Sequence, residues 1–163
     1  MKKTSKIIIV LNLVFLAGYF VFAVNQKEKI IDQGQLILLE LAPVDPRSLL
    51  QGDYMVLSYD IAQNIPEKAP QKGYVLVKPD SVGTYKAIRF QNYIPETIIE
   101  GYPIEYIRLD SWNISIKIGA ESYFFEEGQG KKFEKAVYGG LKVDKNGNSV
   151  LVGLYDKNKQ IIK

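Results

Sequence analysis

Two clusters of residues in this chain have types and spacing that chemistry requires. The first lies in "DPRSLLQGDYMVLSY", residues 45–59, where Asp45, Arg47, Gly52, Asp53, Tyr54, Leu57 and Tyr59 fall close together. A carboxylate, a guanidinium and two phenols can line a polar pocket, with Asp53 as acid or base. The second cluster is Glu121, Tyr123, Glu126 and Glu127 around Phe124 and Phe125. Paired carboxylates in unlike surroundings do acid–base work of the kind glycoside hydrolysis needs. Other chemistry is narrowed by composition. The 163 residues include no cysteine and no histidine, which removes thiol nucleophiles, iron–sulfur ligation, Ser-His-Asp triads and the usual zinc sites. No cofactor and no metal are expected.

Each cluster also has a plainer reading. If residues 53–61 form a strand, Asp53, Met55, Leu57, Tyr59 and Ile61 share one face, and Tyr54, Val56, Ser58 and Asp60 the other. Asp45-Pro46 and Arg47 to Leu50 then make a turn, and Gly52 permits an unusual backbone angle. Asp53 satisfies loop amides at the start of the strand, and Arg47 pairs with Asp53 or Asp45 to fix the corner. In the second cluster Glu121 and Tyr123 lie on one strand face, and Glu126–Glu127 open a loop in water ahead of a helix that their charge favours. The structural reading is preferred for both. "GQG" at 128–130 lacks the spacing of a phosphate loop. "NIS" at 113–115 is taken as an exposed strand, not a glycosylation site.

The elements that must position these residues follow from periodicity. Ile7 to Val24 is an 18-residue apolar run broken only by Asn12. At ~1.5 Å per residue it reaches the lower limit for crossing a hydrocarbon core of ~30 Å. Lys2, Lys3 and Lys6 precede it, which favours an inside N-terminus and an outside C-terminal domain. Cleavage after Val21-Phe22-Ala23, as in a signal peptide, is the alternative. Those three lysines account for the net charge of +3, leaving 18 basic against 18 acidic residues. A neutral domain offers no footprint for a polyphosphate backbone, so no nucleic acid partner is expected.

Beyond Gly34 the helical period gives way to short runs of Val, Ile, Leu and Tyr divided by Gly, Pro, Asn and Asp. Strands are expected near 35–42, 53–61, 73–79, 84–90, 103–109, 112–118, 137–143 and 148–154. Asn146-Gly147 supplies the left-handed backbone of a hairpin, and Gly139-Gly140 marks a bulge or bend. Residues 61–72, with Pro66 and Pro70, form a loop or a short helical turn. Residues 126–136 hold one short amphipathic helix. The expected architecture is an all-β barrel or sandwich of about eight short strands and one short helix, preceded by a single transmembrane helix. Its parts are a cytoplasmic N-terminus (1–6), a transmembrane and juxtamembrane helix (7–32) and an exported domain (33–163).

"GDYMVLSY", Gly52 to Tyr59, resembles the defining motif of the GDYXXLXY family of membrane-anchored proteins at every specified position. "VDPRSLLQ" before it, "IGAESYFFEEGQGKKFE" from Ile118 and the closing "LKVDKNGNSVLVGL" resemble further family segments in the same order; Ala120 stands where isoleucine is more usual. The resemblance implies one membrane segment holding a small extracytoplasmic domain in the inner (cytoplasmic) membrane, with a polytopic membrane protein as partner. It implies no reaction. "RSLLQGDYMVL" also resembles a signal peptidase stretch, but the position of that nucleophile, eight residues before Gly52, falls on Val44, and Ser48 aligns with a threonine. A Ser-Lys protease is therefore disfavoured, while an inactive relative of that β fold stays open. The preferred function is a non-catalytic binding or accessory subunit for another membrane or envelope component. A membrane-tethered hydrolase of peptide or glycan using Asp53 or Glu121, and a small-molecule binding module, are the alternatives.

Overall fold

The computed structural model describes residues 3–42, 54–63, 65–94, 101–110 and 114–163. Helix α1 (Lys3–Gln33) contains the whole apolar run and continues past it. With no proline in the run, nothing interrupts its backbone hydrogen bonding, and at ~1.5 Å per residue the helix is roughly 45 Å long. Its apolar stretch, within Thr4–Gln33, is unburied and is long and apolar enough to span a membrane. Only at its end does the helix meet the domain. Ile30 is buried, and the Gly34 amide donates to Ile30 O at 2.8 Å. A Cβ on Gly34 would lie 2.4 Å from that oxygen and 3.1 Å from the Val143 backbone, so glycine is what lets the helix end press on the sheet. The Lys142 ammonium donates to Gly34 O at 2.9 Å, placing positive charge at the helix C-terminus.

The described domain is nearly all-β. The strands are β1 (Gln35–Glu40), β2 (Tyr54–Val56), β3 (Lys72–Pro79), β4 (Tyr85–Gln91), β5 (Tyr102–Asp110), β6 (Ile114–Lys117), β7 (Ser122–Phe124), β8 (Tyr138–Val143) and β9 (Ser149–Tyr155). Seven form one curled sheet in the order β6-β5-β3-β4-β1-β8-β9, and β2 pairs with β7. Neighbours in the large sheet are antiparallel except β1 and β4, which run parallel and meet at Leu39↔Tyr85. Period-two alternation sends Ile37, Leu39, Val75, Val77, Ile104, Tyr106, Leu141, Val143 and Leu154 into the concave core. Burying one such side chain contributes about 1.5–3 kcal/mol. An exposed pair such as Lys72–Glu105, at 3.5 Å, contributes about 0–1 kcal/mol, so packing and not surface charge holds the sheet. The curl brings the β8–β9 turn across to β5, where the Glu105 amide donates to Gly147 O at 2.9 Å.

All eight expected strands are present, and β7 is the addition. At three residues it is too short to show alternation, so only its partner reveals it. The 53–61 strand is shorter than expected, because its partner changes. Tyr54–Val56 pairs with β7, the Ala42 amide then donates to Ser58 O at 2.8 Å, Tyr59 bridges Leu41, and a 3-10 turn follows at Asp60–Ala62. The expected 126–136 helix contracts to α2 (Gly130–Phe133), which buries Phe133.

The hairpin at 144–148 forms by a different turn from the one its Asn-Gly pair suggests. Gly147 alone takes the left-handed conformation, at φ 83°. Asp144 carries the rest, its carboxylate accepting from the amides of Asn146 at 2.8 Å and Asn148 at 2.9 Å. Asp80 and Asp156 do the same in their own turns, with Gly83 at φ 80° and Lys159 at φ 59° in the left-handed place. Bonds from Thr84, first among the causes, and from Val82 hold the Asp80 carboxyl below the usual carboxylate range.

The expected bulge is present: the β8–β9 register shifts between Gly140 and Leu141. Its glycines also make room for tyrosine rings, since a Cβ on Gly139 would stand 2.8 Å from the Tyr59 ring, and one on Gly140 would stand 2.3 Å from that of Tyr155. Gly139→Ala forces a buried ring to move, and overpacking of this kind costs about 1–3 kcal/mol. A lower thermal unfolding midpoint in detergent-solubilised protein, with the wild-type circular dichroism spectrum retained, is the expected result.

Candidate functional site

Leu57, Tyr59, Glu121 and Tyr123, which the sequence scatters over two motifs, meet in one clasp with Tyr54. It begins as the β2–β7 ladder, with Tyr54 opposite Phe124, Met55 opposite Tyr123 and Val56 opposite Ser122. Past the ladder the Leu57 amide donates to Glu121 O at 2.8 Å. Two residues on, the Tyr59 hydroxyl donates to Ala120 O at 2.7 Å. The turn that presents these oxygens is closed from inside. Gly119 sits at φ 78°, and one Glu121 carboxylate oxygen accepts from the Ile118 amide at 2.5 Å. Glu121 thus shapes the turn with its side chain and binds the first motif with its main chain.

Alternation decides which groups face water. Met55, Leu57, Tyr59 and Ile61 are buried, whereas Tyr54, Val56 and Asp60 are exposed, as the strand reading expects. Tyr59 is 1 % exposed, with its ring over Gly139. Burial raises the phenol's pKa well above its usual value, and the nearby Glu121 charge adds to the rise. The phenol is neutral at physiological pH, fixed as a donor, and unsuited to act as a base or nucleophile. Tyr123 packs inward on Phe133, with ring centroids 5.1 Å apart in an edge arrangement, and Phe125 meets the same ring at 5.3 Å. On the outer side Tyr54 lies against Phe124 at 5.8 Å, and Phe124 is 73 % exposed.

Asp45, Arg47, Gly52 and Asp53 lie outside the described residues, as do Val44, Ser48 and Asn113. Glu126 and Glu127 are exposed, and the Glu126 carboxylate accepts from the Gln129 side chain at 2.6 Å. Among the described residues no group of three or more carboxylates could hold a metal ion. Two participants were not placed in the clasp from sequence: Gly139, read there only as a bulge or bend, which also seats the Tyr59 ring, and the Ala120 carbonyl. Two adjacent glycines within a strand were the available signal for the first. A main-chain acceptor leaves no trace in residue type.

The sequence profile of the family described as GDYXXLXY protein matches residues 16–154. The chain belongs to the GDYXXLXY family. No curated protein and no solved structure matches it. Of the residues that name the family, Tyr54, Leu57 and Tyr59 are described here, and each has a defined place in the clasp: the first outside, the other two within. Ala120 is 3 % exposed, so its side chain lies at a buried contact.

Tyr59→Phe removes the clasp's hydroxyl donor and leaves the Ala120 carbonyl unpaired in the interior. A loss of about 1–3 kcal/mol in unfolding free energy is expected. The pH dependence has a definite sign. Because the folded-state pKa of Tyr59 lies above its unfolded value, its contribution is complete below about pH 10 and is lost as pH rises from there, since the unfolded phenol ionises first. Denaturant titrations from pH 8 to 11 should show wild-type stability falling at the alkaline end, with a shallower fall in the phenylalanine variant.

Proposed function

We propose that this GDYXXLXY protein is a single-pass protein of the cytoplasmic membrane. Its N-terminus lies inside, its β domain lies outside, and the domain acts as a non-catalytic binding or accessory subunit for another membrane or envelope component. Orientation is supported by Lys2, Lys3 and Lys6 before the apolar run. The observation that carries the functional reading is how the family signature is used. Tyr59 and Glu121 have reactive groups, yet the hydroxyl is engaged with Ala120 O and the carboxylate with the Ile118 amide. The clasp's outer face carries the Tyr54–Phe124 pair and Val56, which is 47 % exposed, beside exposed Ser122. Grouped exposed aromatics suit contact with another macromolecule better than turnover of a small substrate.

Tagged full-length protein extracted in mild detergent should recover a polytopic membrane protein. The double variant Tyr54→Ala, Phe124→Ala should recover at least tenfold less while its melting temperature stays close to the wild type, since both rings face outward. Repeated recovery of the wild-type chain alone contradicts the reading.

A further inference from the structure

We propose that the outer edge of β4, from Lys86 to Phe90, accepts an extended acidic segment of a partner chain as an added strand. Resting on the binding role above, the proposal assigns that role a second surface, apart from the clasp, and names the chemistry of its occupant.

The edge is left open by the change of partner that forms the clasp. β1 and β4 share one register pair, Leu39↔Tyr85, after which β1 turns to residues 58 and 59. Past that point no described residue pairs with β4 on that side, while its other side stays paired with β3 through Gln91. Because the Asp80 amide donates to Thr84 O, the antiparallel alternation directs the backbone groups of Ala87 away from β3. Among the described residues nothing pairs with this edge beyond Tyr85. Unpaired amides and carbonyls in a row are a template for another strand.

A cleft of about 580 Å³ runs along the edge, walled on its far side by Ile61, Pro66 and Ala69. That wall is held in place rather than loose. The Arg108 guanidinium donates to Glu67 O and Ala69 O at 2.7 Å each, and the Tyr106 hydroxyl donates to Pro70 O at 3.2 Å. A slot between a fixed wall and a strand edge lowers the ordering cost of binding an extended chain. From Lys86 to Phe90 it offers roughly 16 Å of strand at ~3.3 Å per residue.

Charge selects the occupant. Lys68, Lys86 and Arg89 line the cleft, and among the described residues none of the three is in an ion pair. Glu40 and Asp60 also line the cleft, so cations outnumber carboxylates there by three to two. Carboxylates on the incoming strand complement Lys86 and Arg89. The same cations oppose a second copy of this edge, which favours a different chain.

The test uses detergent-solubilised full-length protein and a fluorescein-labelled octapeptide of alternating valine and glutamate with blocked ends, read by anisotropy. Saturable binding is expected. It should weaken at least tenfold when lysine replaces glutamate in the peptide, when alternate peptide amides are N-methylated, and in the Arg89→Glu protein with its circular dichroism spectrum unchanged. No binding, or binding indifferent to N-methylation, overturns strand addition, the second result showing attraction by charge alone. Partner recovery is scored separately. An Arg89→Glu chain that loses the peptide yet still recovers the partner contradicts the edge as the docking site and leaves the accessory role standing. A wild-type chain that binds the peptide but recovers no partner supports the edge and contradicts the role.

Discussion

The hydrogen bond from the Tyr59 hydroxyl to Ala120 O ties together three parts of the chain that are far apart in sequence. Tyr59 closes the segment begun by β2, Ala120 belongs to the turn before β7, and the ring between them lies over Gly139 of β8. A phenol is suited to this place because its ring fills core volume while its hydroxyl satisfies a buried carbonyl that no strand reaches. The residues around it adapt to that need. Gly139 leaves room for the ring, Gly119 turns the backbone so that Ala120 O faces inward, and Glu121 holds the turn through the Ile118 amide. Because Tyr59 also bridges Leu41, it displaces β4 from the end of β1. The clasp and the stretch of β4 edge that no described residue pairs with are therefore two results of one chain crossing.

Much of this was legible in residue type. Alternation across residues 53–61 separated Met55, Leu57, Tyr59 and Ile61 from Tyr54, Val56 and Asp60, and the structure buries and exposes them accordingly. The all-β character, the apolar helix and the bulge at Gly139-Gly140 were equally readable, since each depends on local period or on glycine. What remained hidden depends on partners distant in sequence. β7 exists because β2 lies beside it, and the turn at 144–148 rests on the Asp144 carboxylate instead of a left-handed Asn146. Both clusters of chemistry-bearing residues were visible, but their meeting was not: whether Tyr59 approaches Ala120 is a matter of topology.

The clasp also changes what the family signature signifies. Tyr59 of the signature and Glu121 of the second cluster, which look reactive as sequence, are here a hydrogen-bond donor and an acceptor within the clasp. Tyr54 alone among the described signature residues turns its side chain outward. At the other end of the domain, Gly34 and Lys142 join α1 to β8, so the apolar helix is fastened to the same sheet that seats the Tyr59 ring.

Hydrogen exchange of the detergent-solubilised protein tests the clasp as a structural unit most directly. If the two motifs form one cooperative body with the sheet, the amides of Leu57 and Ile118 exchange only through global opening, with protection equal to that of the buried amides of β3. Exchange at Leu57 or Ile118 that is orders of magnitude faster than in β3, or that proceeds independently at the two sites, would contradict it.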